Sequence, residues 1–76
     1  MIIADDDDKP LKIAAYLNTS LVYQKLNDCL KSKLACNYVL EMDENNIKAL
    51  YRRGQAYFDM GDIDNALIDF KRVICL

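Results

Sequence analysis

The chain has 76 residues, 53% of them hydrophobic and 29% charged, with two Gly and one Pro. That length allows one small domain, and that composition excludes disordered and collagen-like chains. No apolar run approaches the roughly 18 residues a membrane helix requires. The formal charge is −2, but its distribution is uneven. Asp5–Asp8 followed by Lys9 spells an enterokinase signature. Residues 1–9 therefore read as the remnant of an expression tag, to be set aside from fold reasoning. Residues 10–76 then keep nine basic and eight acidic residues, a net of +1. No dense Lys/Arg cluster marks a nucleic-acid surface.

The first helical stretch is expected from about Leu11 to Leu26, with Ile13, Tyr16, Leu17, Leu21 and Leu26 on a broad apolar side. Asn27 and Asp28 supply a break and a cap. A second stretch runs from about Asp28 to Met42. Its apolar stripe is expected to be Leu30, Leu34, Ala35, Tyr38 and Met42 at helical spacing. The third runs from about Asn46 to Met60, capped by Asn45 or Asn46 and ended by Gly61. Asp62 caps the fourth, which carries Ile63, Ala66, Leu67, Phe70, Val73 and Ile74. No segment alternates as a strand does. The fold class is all-α, with four helices.

These helices repeat. A shift of 34 residues places Ile13 on Ile47, Tyr23 on Tyr57, Asn27-Asp28 on Gly61-Asp62 and Val39 on Val73. One repeat spans 13–46, and an incomplete second spans 47–76.

The chemistry-bearing residues are few. The chain has no His and no Trp. Cys29, Cys36 and Cys75 offer no Cys-x-x-Cys and read as small packing residues of a reduced, cytoplasmic chain. No phosphate loop or nucleophile–base arrangement appears. An enzyme, a cofactor and a metal are not expected. Asp59, Asp62, Asp64 and Asp69 are assigned to caps and the helix dipole around one helix start. Arg53 is assigned to local packing or pairing. Tyr16, Tyr23, Tyr51 and Tyr57 read as repeat packing, and Tyr51 has a second reading as a peptide contact.

Gly54, Tyr57, Ala66 and Phe70 stand at the signature positions of a tetratricopeptide repeat, which the second copy resembles. The motif's usual Trp is Leu50 here, and its closing Pro would fall beyond Leu76. The first copy keeps Tyr23 and has Ser20, Ser32 and Cys36 at the other positions. The resemblance implies helical hairpins, about two repeats, of a right-handed α-solenoid.

The run Lys48-Ala49-Leu50-Tyr51-Arg52-Arg53-Gly54-Gln55-Ala56 is similar to the third repeat of immunophilin co-chaperones of the FK506-binding-protein type. In that family a carboxylate clamp holds the acidic Glu-Glu-Val-Asp tail of 90- or 70-kDa heat-shock chaperones. The resemblance assigns Asn18, Lys48 and Arg52 to that clamp. The family's other clamp positions, a Lys and an Asn of its first repeat, fall upstream of Leu11. Its isomerase domain also lies outside this sequence, so the chain is expected to be non-enzymatic. Lys48 and Arg52 are four apart, on one face of the third helix. Asn18 holds the corresponding place on the first. The expected role is a protein-interaction module of a co-chaperone. The alternative is a structural scaffold whose uncovered apolar faces pair with another copy or exchange helices.

Overall fold

The computed structural model describes residues 5–76, with side chains from Asp8 onward. The part of the tag reading that covers residues 1–4 lies outside the described residues. Four helices follow in chain order: α1 Asp5–Lys25, α2 Cys29–Met42, α3 Ile47–Asp59 and α4 Ile63–Cys75. No strand occurs among the described residues. Each helix packs on its sequence neighbour, and α1 also touches α3. The two hairpins thus stack with their first helices side by side.

Helix α1 starts at Asp5, earlier than the expected Leu11. Pro10, one residue before the expected start, sits inside the helix. Proline forgoes one backbone hydrogen bond, a loss best tolerated near a helix start. An acid-rich opening turn is also what the positive end of a helix dipole favours.

The turns repeat as closely as the sequence does. Asn27 and Gly61 both take positive φ, 60° and 83°. A residue in this conformation ends a helix by turning the chain back on its last carbonyls. Asp28 N–H donates to the Tyr23 carbonyl and Asp62 N–H to the Tyr57 carbonyl, both at 2.8 Å. The same two Asp then cap the next helices, accepting from the amides of Lys31 and Asn65. Asn46 caps α3 through the amide of Ala49 at 2.9 Å.

The core runs through Cys36, Val39, Ala49 and Leu50, with Ile13, Tyr16, Leu17 and Leu40 packed against it. The buried side of α2 is Ser32, Ala35, Cys36 and Val39. The expected stripe is therefore corrected: Ala35 is buried, but Leu30, Leu34 and Tyr38 are exposed. The small side chains face inward because helices cross closely there. The large ones lie toward the surface, where Tyr38 stacks on Tyr16 of α1. On α4, Ala66 and Asp69 are buried, while Ile63, Leu67 and Ile74 are exposed. Leu26 lies beyond the end of α1 and is also exposed. The cysteine reading holds for Cys36 alone as a fully buried residue, since Cys29 is half-buried and Cys75 exposed. Burial pushes the Cys36 thiol up from its ordinary range. No helix among the described residues is long and apolar enough to cross a membrane.

Candidate functional site: the α1–α3 face

Helices α1 and α3 present the three candidate residues. Lys48 lies in the first turn of α3 and Arg52 one turn later. Both lie on the helix face that the i, i+4 spacing defines. Arg52 is half-buried, and its Nη1 donates to the Leu17 carbonyl of α1. Leu17 immediately precedes Asn18, so this bond brings the guanidinium to the turn of α1 that carries Asn18. Ser20 Oγ donates to the same carbonyl at 2.7 Å. Arg52 has five N–H donors, and this contact uses one. Asn18 and Lys48 are exposed, and neither side chain has a hydrogen bond or ion pair among the described residues. The three side chains are not bonded to one another. Of the three, only Arg52 is anchored.

Arg53, next in the chain, points the other way. Its Nε and Nη2 donate to the Asp69 carboxylate at 2.8 and 2.7 Å. Its Nη1 donates to Asn37 Oδ1 at 3.1 Å. The guanidinium also lies over the Tyr57 ring, 5.8 Å from its centroid. The Asp69 hydrogen bonds raise the Arg53 pKa against the opposing cost of burial. Local pairing was the expected role for Arg53. The reading of Asp69 is corrected: it is 1% exposed and belongs to a buried ion pair, not to a helix cap. Arg53 therefore fastens α3 to α4 and α2, leaving its neighbour Arg52 to face α1.

A second set of groups spans α1 and α3 further along. Gln24 Nε2 donates to Gln55 Oε1 at 2.6 Å, and Gln55 Nε2 donates to the Tyr51 hydroxyl at 3.3 Å. The Tyr51 ring packs against Phe70, with centroids 5.9 Å apart. The sequence reading missed both glutamines. Gln55 lies within the run Lys48–Ala56 without a role assigned to it, Gln24 lies outside any motif, and their pairing across 31 residues depends on the register of two helices.

A hollow of about 400 Å³ lies elsewhere, between α1 and α2, lined by Lys12, Ala15, Tyr16, Tyr38, Glu41 and Met42. Tyr16 and Tyr38 stack there at 5.0 Å. It contains none of the three candidate residues. Among the described residues no group of His, Cys, Asp or Glu is arranged to hold a metal.

Residues 47–76 match the family model for the tetratricopeptide repeat. Together with the paired helices and the shared turns, the match identifies the chain as a tetratricopeptide-repeat region.

Its relatives narrow the family further. It is 44% identical over 72 residues to FK506-binding protein 59 of Drosophila melanogaster, covering 95% of this chain and 16% of that protein. It is 39% identical over 66 residues to peptidyl-prolyl cis-trans isomerase FKBP4 of Mus musculus, covering 87% of this chain and 14% of that protein. It is 41% identical over 59 residues to peptidyl-prolyl cis-trans isomerase PASTICCINO1 of Arabidopsis thaliana, covering 78% and 9%. The chain thus spans about a sixth or less of the length of these relatives. The chain is a tetratricopeptide-repeat region, not an isomerase domain, and is similar to segments of proteins of the FK506-binding-protein type.

Proposed function

We propose that this chain is a protein-interaction module that captures the acidic C-terminal tail of a partner, of the Glu-Glu-Val-Asp kind borne by heat-shock chaperones. One observation carries the reading: Arg52 is fixed on the α1 backbone beside Asn18, with Lys48 one turn away on the same helix. A C-terminal Asp offers two carboxylates within a few ångströms. The free N–H groups of Arg52 can grip one in a fork, Lys48 adds a compact charge, and Asn18 adds neutral amide donors. Capture of a free C-terminus by converging donors is a recurring recognition mode. The half-burial of Arg52 reduces solvent screening of its charge, and its bond to Leu17 reduces the entropy lost on binding. The parent protein is proposed to be a cytoplasmic co-chaperone that carries an isomerase domain elsewhere.

The test is a calorimetric titration with a peptide ending in Glu-Glu-Val-Asp, as free acid and as C-terminal amide. The free acid is expected to bind and the amide to bind at least tenfold more weakly. A charge-assisted hydrogen bond is worth about 1.5–3 kcal/mol, so Arg52→Ala should cost about tenfold or more. Lys48→Ala, at an exposed position, should cost less, about two- to fivefold. Equal binding of acid and amide would overturn the proposal.

A second reading has its own observation. Leu30, Leu34 and Tyr38 on α2, Phe58 on α3, and Leu67 and Ile74 on α4 are all exposed. Such faces suit a stacking or self-associating scaffold, with the Asn18–Lys48–Arg52 face idle. Sedimentation equilibrium over a hundredfold concentration range distinguishes the two. Concentration-dependent assembly without acid-specific peptide binding would favour the scaffold.

A further inference from the structure

We propose that Arg72 is a positioning residue for tail capture: from the last turn of α4 it fastens the α2–α3 turn and, through it, the first turn of α3, which carries Lys48. The inference rests on the tail-binding reading above and adds to it a residue outside the two helices that bear Asn18, Lys48 and Arg52. Arg72 Nη2 donates to the Glu44 carbonyl at 3.2 Å and to Asn45 Oδ1 at 2.7 Å, one bond for each of its two protons. The next residue, Asn46, is the cap of α3. Its side-chain oxygen accepts from the Ala49 amide, and Lys48 lies between the two. The guanidinium also suits its own helix, because a cation is favoured in a last turn.

The start of α3 is where such support counts. Helix α1 opens on Asp5–Asp8, and α2 and α4 are capped by Asp28 and Asp62. In α2 the first-turn cation, Lys31, is paired with that cap, Nζ to Oδ2 at 3.8 Å. Helix α3 alone of the four has a neutral cap and no acid in its first turn. It carries instead Lys48, exposed and without an ion pair among the described residues, at the positive end of the helix dipole. The Asp43 carboxylate accepts from the Asn46 side-chain amide at 3.3 Å, and so braces the cap and not Lys48. Helix ends fray, and this charge pattern favours fraying here. Arg53 holds the body of α3 on Asp69 more than a turn further along. Arg72 supplies the brace at the start itself. A bound carboxylate brings the missing negative charge beside Lys48, so capture and ordering of this turn reinforce each other.

The test is calorimetric titration with the free-acid Glu-Glu-Val-Asp peptide and its C-terminal amide. Arg72→Gln and Asn45→Ala cut the same link from its two sides, and each should lose about two- to threefold in affinity, no more than Lys48 itself contributes. The double variant should lose little more than Arg72→Gln alone. In the Arg72→Gln background the Lys48→Ala penalty should largely vanish, while the Asn18→Ala penalty should stay whole. Amide hydrogen exchange separates placement of this turn from general loosening. In Arg72→Gln the amides of Ala49 and Leu50, both bonded to Asn46, should exchange faster, and that of Ala66 on α4 should not. Wild-type affinity in both single variants, or an undiminished Lys48→Ala penalty in Arg72→Gln, with the free acid still preferred, would overturn the positioning role and leave tail capture standing. Equal wild-type binding of acid and amide would overturn the tail reading itself, and with it the part of Arg72 in capture.

Discussion

The two hairpins close the same crossing in different ways. In the second, Gly54 lies under the Phe70 ring so closely that a Cβ there would sit 2.6 Å from the ring. Ala66 completes the contact from α4, fully buried. In the first hairpin the corresponding residues are Ser20, Ser32 and Cys36. There Ser32 Oγ donates across the crossing to the Ser20 carbonyl at 2.9 Å, and Cys36 fills the space that an aromatic ring fills in the second. One hairpin joins its helices by shape, the other by a buried hydrogen bond between small residues. The second also carries an ion pair, Arg53–Asp69, where the corresponding residues of the first are Thr19 and Ala35. Helix α3, which bears Lys48 and Arg52, is therefore the more firmly held of the two helices lining the candidate face.

That contrast can be broken at several points. The largest effect is expected from Arg53→Ala, which strands the Asp69 carboxylate in the core. Removing one partner of a buried pair costs about 3–5 kcal/mol, a large share of a small domain's stability. Thermal melts should show the chain largely unfolded. Arg53→Met with Asp69→Leu should recover most of the loss, because no buried charge remains. Gly54→Ala comes next, at about 1–3 kcal/mol by overpacking against Phe70. Adding Phe70→Leu should relieve part of that cost, and Ser20→Ala in the first hairpin should show no such clash. Ser32→Ala removes the hydrogen bond of the first crossing and should cost about 0.5–1.5 kcal/mol by urea denaturation.

The smallest effect concerns pH. Burial raises the Cys36 thiol pKa in the folded chain. The folded state therefore holds its proton where the unfolded state releases it. Stability should be fully present below the ordinary thiol range and fall as pH rises past about 8.5. The decline should be shallower in Cys36→Ala, measured by urea midpoints at successive pH values. Cys36 should also resist alkylation that modifies the exposed Cys75.

Much of this architecture is legible in the residues. The 34-residue shift, the left-handed Asn27 and Gly61, and the caps Asp28, Asn46 and Asp62 are local signals, each with a local cause. The direction of the helix faces is not local. Leu30, Leu34 and Tyr38 read as a core stripe because periodicity reports where apolar residues cluster, not which cluster meets a partner helix. Ser32 and Cys36 occupy the buried side because small groups permit the close approach of α1. Asp69 read as one of the capping and dipole acids around a helix start, and only the placement of Arg53 opposite it explains its burial. The candidate face divides in the same way. Lys48 and Arg52 are visible through their spacing on one helix. The anchoring of Arg52 on Leu17 and the pairing of Gln24 with Gln55 depend on how α1 and α3 align.

The most direct test of tail capture by one cooperating face is a double-mutant cycle. Affinities for the free-acid Glu-Glu-Val-Asp peptide would be measured for wild type, Asn18→Ala, Arg52→Ala and the double variant. Groups that grip one carboxylate together should lose less in combination than the sum of the single losses, with a coupling of about 0.5 kcal/mol or more. Strictly additive losses, or no loss from either variant, would contradict a shared carboxylate site on the α1–α3 face.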